Sequence, residues 1–401
     1  MRGCAGLQFL RPVPQYSDSL SDFKLVFNPA LTGLRAFIIL FVVLGHAFLG
    51  WGKNNPFKGS WDMVNLFFAL SGFLITSLLI EYWGKNKTLN PKKFWTDRAL
   101  RLLPPVFLTC LIISIYGLVV KVPNASSRLW GEILATLFYF QDIKYALRDI
   151  PFFGFLSQSW SLSIEEQFYV LWFVALVILL KKGGKKTALV AALVGVGISW
   201  FLRTLVYAQS AQNWQFDASY PKLYYPIYMR MDSIFLGCAL ALLIAINPKI
   251  LKLNKFKKNL LSFIFFGSVG AILWILFKQN VSDPSVYLWG MDLSSVASVV
   301  TVAYLVFCKD SPVAKILGWP GFVLFGNMSY TIYLIHWPID IMINPSGGVL
   351  GGLFQVRRII ITVLIALVSW YLIEKPLAKW RRSKRLGNIK MQEVNVVGVA
   401  E

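Results

Sequence analysis

Residues 31–51 read LTGLRAFIILFVVLGHAFLGW, and their reading decides the fold. The run is apolar over a length that spans a bilayer as a helix. It nevertheless holds Arg35 and His46. Eleven residues of helix make about three turns, so both side chains share a face, about 16 Å apart along the axis. Ionisable groups in a membrane helix are costly, and they mark a functional interior. This helix is expected to form one wall of a buried polar site with an imidazole deep in the membrane.

The rest of the chain extends that pattern. Of 401 residues, 56% are hydrophobic and only 15% charged, and the mean hydropathy is +0.59. Soluble domains carry about a quarter charged residues. Apolar runs recur near 34–51, 62–82, 102–121, 160–180, 187–206, 228–246, 260–277, 291–308, 321–342 and 357–374. The expected fold is an all-α integral membrane protein, a polytopic bundle of about ten transmembrane helices. The net charge of +21 could suggest nucleic acid, but the basic residues sit in short loops between apolar runs. With the N-terminus inside, 27 of the 40 Lys and Arg residues fall on the inner side and 10 on the outer. Both termini are therefore expected in the cytoplasm.

Segment 122–159 has one short apolar stretch, GEILATLFYF, followed by Asp142, Lys144 and Arg148. A crossing there would invert every later loop, so an outer interfacial or re-entrant element is expected. Cys4, Cys110, Cys238 and Cys308 form no CxxC pair, and two histidines are too few for a His-rich metal site. No metal is expected.

Four further stretches carry candidate chemistry. In PKKFWTDRALRLLPP, Arg98 and Arg101 lie three apart at the expected inner mouth of the third helix. Paired guanidinium groups can clamp phosphates, and basic residues there also serve as positive-inside anchors. QSWSLSIEEQFYVLW opens a helix at its outer end with Glu165 and Glu166. Helix capping explains one glutamate. Trp160, Ser161 and Tyr169 around them could face a sugar. YYPIYMRMDSIFLGCAL sets Arg230 and Asp232 two apart, so they do not face each other, and each should pair with another helix or line the pocket. GNMSYTIYLIHWPI puts Tyr330, Tyr333 and His336 on one face, as an interface belt or an interior polar strip.

Taken together, GLRAFIILFVVLGH, FFALSGFLI, DRALRLLPP, WSLSIEEQFYVLW and GNMSYTIYLIHWP resemble the acyltransferase-3 family of integral-membrane O-acyltransferases. The resemblance covers about residues 29–380. It implies catalytic roles for His46, Arg35 and a carboxylate, of which Glu166 is favoured over Glu165, and donor binding by Arg98 and Arg101. Asp97 stands where many members carry another Arg, and Gly45 where an aromatic is common. Residues 1–28 are then an N-terminal arm, 29–380 the acyltransferase domain and 381–401 a basic tail, with no SGNH-type hydrolase domain.

The implied activity moves an acyl group, acetyl first, from cytoplasmic acyl-CoA to a hydroxyl of a carbohydrate or glycolipid. Acyl-CoA is a co-substrate, and no bound cofactor and no nucleic acid are expected. The implied location is a bacterial inner or plasma membrane. The rival class is a transporter or flippase for a lipid-linked sugar, which would also want buried charges in a ten-helix bundle.

Overall fold

The computed structural model describes residues 28–49, 54–86, 88–120, 125–147, 154–211, 213–343, 352–381 and 383. The expected N-terminal arm and basic tail lie almost wholly outside the described residues. Fourteen α-helices follow one another among the described residues, with no strand. They are α1 (Pro29–Ala47), α2 (Met63–Asn86), α3 (Pro91–Val120), α4 (Ala125–Leu137), α5 (Gln141–Ala146), α6 (Trp160–Lys182) and α7 (Gly184–Ala211). Then come α8 (Phe216–Tyr224), α9 (Ile227–Ile246), α10 (Lys255–Lys278), α11 (Met291–Phe307), α12 (Pro312–Leu317), α13 (Pro320–Ile343) and α14 (Gly352–Ser369).

Nine helical spans among the described residues are long and apolar enough to cross a membrane. The chain is a multi-pass membrane protein. The tenth expected crossing, 321–342, is α13. At 24 residues it has the length, but it is not among the nine. Asn327, Ser329, Tyr330, Thr331, Tyr333, His336 and Asp340 make it too polar, and most of it is buried in the bundle. Among the described residues of segment 122–159 are α4, α5 and a 3-10 turn at Ser157–Ser159, with no long apolar helix. Thirteen residues of α4 reach about 20 Å, too short to cross.

The largest difference from the sequence reading is α3. It starts at Pro91, eleven residues before the expected start at 102, and runs on through Pro104 and Pro105. Prolines are tolerated within membrane helices where neighbours satisfy the freed carbonyls. Here the Thr109 hydroxyl donates to the Pro105 carbonyl at 2.9 Å. Arg98 and Arg101 therefore lie inside a helix rather than in a loop at its mouth.

Lipid gives helices no hydrophobic reason to associate, so close packing of small residues and polar contacts must hold them. On α2 and α9 a Cβ at Gly72 would fall on the Ile234 carbonyl, and one at Gly237 on the Ala69 carbonyl. On α1 and α13, a Cβ at Gly326 would meet the Thr32 carbonyl. Asn28 caps α1 by accepting from the Ala30 amide at 2.9 Å. Its side-chain amide donates to the Leu305 carbonyl at 2.9 Å, tying that cap to α11. Phe107, Leu111, Ile115 and Leu118 leave an exposed apolar stripe on α3 at helical spacing, suited to lipid. The core thus centres on α1, α2, α9, α11 and α13, and α1 and α13 carry the two histidines.

Candidate active site

His46 stands on the last turn of α1, half-buried, and His336 is buried on α13. Their rings stack with centroids 5.0 Å apart, and Nδ1 of His46 lies 2.9 Å from Nε2 of His336. Trp337 meets the His46 ring edge-on at 5.1 Å and donates its indole N–H to the Gly154 carbonyl at 2.7 Å.

The tautomers follow from the partners. Nδ1 of His336 faces two carbonyls, Tyr333 at 2.7 Å and Ile332 at 3.2 Å, so it must carry hydrogen. Neutral His336 then offers a lone pair at Nε2, and His46 donates from Nδ1 into it. Nε2 of His46 is left as the free base of the pair. A carboxylate often orients a catalytic imidazole. Here a second imidazole does it. The sequence reading placed His336 on a polar strip but not against His46. The available signal was that these are the chain's two histidines.

A charged cluster lies toward the N-terminal end of α1. Arg98 grips Glu166 with two nitrogens, Nη2 donating to Oε1 at 2.5 Å and Nε to Oε2 at 3.0 Å, in a fork that suits a carboxylate. The same guanidinium lies 3.7 Å over the Tyr169 ring. Ser71 on α2 hydrogen-bonds the Tyr169 hydroxyl and reaches Glu165. Arg35 lies within electrostatic reach of Arg98, Arg101, Glu165 and Tyr169.

Glu374, which the sequence reading did not single out, completes the cluster. It sits in a π-helical turn, Trp370–Glu374, and accepts from Thr331 at 2.7 Å and Ser369 at 3.0 Å. Arg101 and Arg35 are within its electrostatic reach. Three arginines thus meet three glutamates. Arg98 and Glu166 form an ion pair, while half-buried Arg35 and Arg101 form none among the described residues.

This arrangement corrects the expected sidedness. Glu165 and Glu166 were expected to approach from the face opposite Arg98 and Arg101. Because α3 begins at Pro91 and runs antiparallel to α6, the four residues share one layer. Phe94 on Phe173, 5.1 Å between centroids, fixes that register one turn before Arg98 and two turns after Glu166. Glu166 is held by Arg98, and the partner on His46 is His336.

The strip on α13 joins the two ends. Tyr330 lies within electrostatic reach of Arg98, Glu165 and Glu166. Tyr333 donates to the Gln158 carbonyl at 2.7 Å, so Ser161 must donate to Tyr333 across their 2.5 Å contact. His336 follows one turn on.

Arg230 and Asp232 diverge, as their spacing requires. Asp232 binds Arg203 of α7 at 2.6 Å and accepts from Trp200 at 3.0 Å and Ser295 at 2.9 Å. Arg203 also contacts Asp292 at 3.1 Å. Arg230 faces Tyr224, Trp160 and Phe68, with ring centroids at 4.7, 5.6 and 5.9 Å. Outside the crossing helices, Asp142 on α5 accepts from Gln167 at 2.8 Å, and burial pushes its carboxyl up to about 6. No cluster of three or more metal-ligating side chains occurs among the described residues.

Residues 28–374 match the family described as acyltransferase domain, Acyl_transf_3. The chain belongs to this family. A peptidoglycan O-acetyltransferase, OatA, of Listeria monocytogenes is 30% identical over 368 residues, 88% of this chain and 56% of that protein. A protein named as a putative peptidoglycan O-acetyltransferase, YrhL, of Bacillus subtilis is 30% identical over 87% of this chain and 54% of its own length. O-acetyltransferase OatA of Staphylococcus aureus is 28% identical over 88% of this chain and 57% of its own. The chain therefore spans little more than half the length of these relatives. No solved structure matches it.

Proposed function

We propose that this family member is a membrane-embedded O-acyltransferase that moves an acetyl group from cytoplasmic acyl-CoA to a carbohydrate hydroxyl. The observation that carries the proposal is the His46–His336 contact, 2.9 Å, with the hydrogen on His336 committed to the Tyr333 carbonyl. It supports a neutral imidazole with a free Nε2, which is what a general base needs.

In this reading Nε2 of His46 takes the proton of the acceptor hydroxyl as its oxygen attacks the thioester carbonyl. The carbon–sulfur bond then breaks, and the CoA thiolate leaves with the proton held on His46. Arg35 and Arg101 hold the anionic part of the donor. The axial separation of about 16 Å between Arg35 and His46 suits a long donor, charged at one end and reactive at the other. Arg98 shapes this end through Glu166. The basic residues of the short loops favour the cytoplasm at the α1 N-terminal side. The names of the relatives support a glycan acceptor of the peptidoglycan type.

The test is purified chain in proteoliposomes with labelled acetyl-CoA and a peptidoglycan-strand acceptor. His46→Ala is expected to cut kcat by about 10³-fold, within the usual range for a lost general base, while the donor KM holds. Wild-type turnover by His46→Ala would remove the base role. Movement of a lipid-linked sugar without acyl transfer would make the protein a transporter.

A further inference from the structure

Arg230 is fully buried on the first turn of α9, and all three of its guanidinium nitrogens lack a hydrogen-bond partner. Two carboxylates lie near it, each bonded elsewhere through one oxygen and without a hydrogen-bond partner at the other, and neither hydrogen-bonds Arg230. Asp62 accepts from Asn65 at 3.0 Å, and Asp232 is held by Arg203 at 2.6 Å. Asp62 offsets part of the charge from a distance, but donors buried with no acceptor are costly to the fold. The aromatic faces of Tyr224, Trp160 and Phe68 return only part of that.

The same residues form one wall of a larger aromatic enclosure. Tyr224 stacks on Tyr220, centroids 4.8 Å apart, and Trp160 packs on Tyr224 at 4.8 Å and Tyr225 at 5.5 Å. Flat aromatic faces with hydroxyl groups are the surface that sugar rings stack on. Trp160 opens α6, and its neighbour Ser161 donates to Tyr333, one turn before His336. The enclosure therefore adjoins the α13 polar strip at Tyr333, between the arginine–glutamate cluster and the histidine pair.

We propose that Arg230 anchors an oxyanion, a carboxylate or a phosphate, carried by the acceptor carbohydrate, so that the enzyme selects acidic glycans. This rests on the acyltransferase reading above. A bidentate guanidinium–oxyanion contact satisfies the donors that the protein leaves empty. Because Arg230 is fully covered, an incoming sugar has to part the faces of Trp160 and Tyr224 around it.

The experiment gives wild type, Arg230→Lys and Arg230→Gln in proteoliposomes labelled acetyl-CoA and three matched acceptors. These are neutral chitotriose, a trisaccharide of the same length bearing a uronic acid, and a phosphorylated chitotriose. Wild type is expected to favour one charged acceptor by about tenfold in kcat/KM, the size of one good charge-assisted contact. The better of the two identifies carboxylate or phosphate as the group. Arg230→Gln should bring that acceptor down to the neutral one, and Arg230→Lys should keep part of the preference.

Equal use of all three acceptors by wild type overturns the inference. So does Arg230→Gln lowering all three by one factor, which a purely structural arginine would give. Donor hydrolysis without acceptor is followed in parallel. If wild type turns over donor but shows no charge preference, only this inference fails. If it never turns over donor, the acyltransferase reading fails with it. Should Arg230→Gln not fold, free glucuronate and inorganic phosphate are tested as competitors of acceptor in wild type and Arg230→Lys. Competition by one, weakened in Arg230→Lys, supports the site, and competition by neither overturns it.

Discussion

The two ends of the site are built on opposite principles. At the histidine end the reacting pair carries no formal charge, and the nearby Arg358, on the Ala47 carbonyl at 2.6 Å, is matched by Asp340 at 3.4 Å. Two imidazoles share one hydrogen bond, and a backbone carbonyl sets the tautomer of both. At the other end three arginines and three glutamates crowd into one layer, yet Arg98–Glu166 is their direct ion pair. Low dielectric makes both arrangements strong, but for different tasks. A neutral, oriented lone pair suits proton transfer. Cations held near carboxylates without closing on them suit an incoming anion, which can take the place of a weak internal partner. The contrast predicts that damage at the first end lowers kcat and damage at the second raises the donor KM.

The sharpest way to break that division is His336. If it acts through His46, His336→Ala should lower kcat by about 10²-fold, near 2.7 kcal/mol of transition-state stabilisation, with donor KM unchanged. The imidazole of His46 would remain but could turn and present the wrong nitrogen. A residue that merely packed would lower the melting temperature without this split. Equal loss in kcat and rise in donor KM would merge the two ends into one.

Which parts of this were legible in the sequence follows from how far apart the partners are. Arg35 and His46 stood out because a single apolar run contained both, and helical period alone put them on one face. Tyr330, Tyr333 and His336 were legible as a strip for the same local reason. The pairings across helices were not. Arg98 and Glu166 are 68 positions apart, and their meeting depends on the register of α3 on α6. That register was hidden by two prolines and a basic run that look like a loop before a helix. Glu374 was hidden because its partners, Thr331 and Ser369, come together only through the π-helical turn at the end of α14. Fold class survived these errors because it rests on apolar runs, whereas the layer of the charged cluster rests on a shift of eleven residues at one helix start.

Within the charged end, the paired and unpaired arginines should behave differently. Arg101→Ala is expected to raise the donor KM about tenfold, near 1.4 kcal/mol, with little change in thermal stability. Arg98→Ala should instead lower stability, because it strands Glu166 in a mostly buried position. Adding Glu166→Gln to Arg98→Ala should recover part of that loss, the sign of direct coupling. If Arg98→Ala raised the donor KM without destabilising the protein, Arg98 would belong with Arg101 as a donor contact, and Glu166 would be its replaceable partner.

The smallest effect concerns the strut that steadies the charged end from outside the crossing helices. Asp142 on α5 accepts from Gln167, the neighbour of Glu166, and burial raises its carboxyl from 3.8 to about 6. Between these values the folded protein binds more protons than the unfolded chain, so this group's contribution to stability is full below 3.8 and is lost as pH rises from there through about 6. Two units correspond to about 3 kcal/mol at most. Asp142→Asn keeps an oxygen for Gln167 and removes the charge. Its melting temperature should match wild type at pH ~3 and exceed it by a few degrees at pH ~7.5. Parallel melting curves for the two proteins across that range would show that Asp142 ionises freely in place, and that the α5–α6 contact is a hydrogen bond without a desolvation cost.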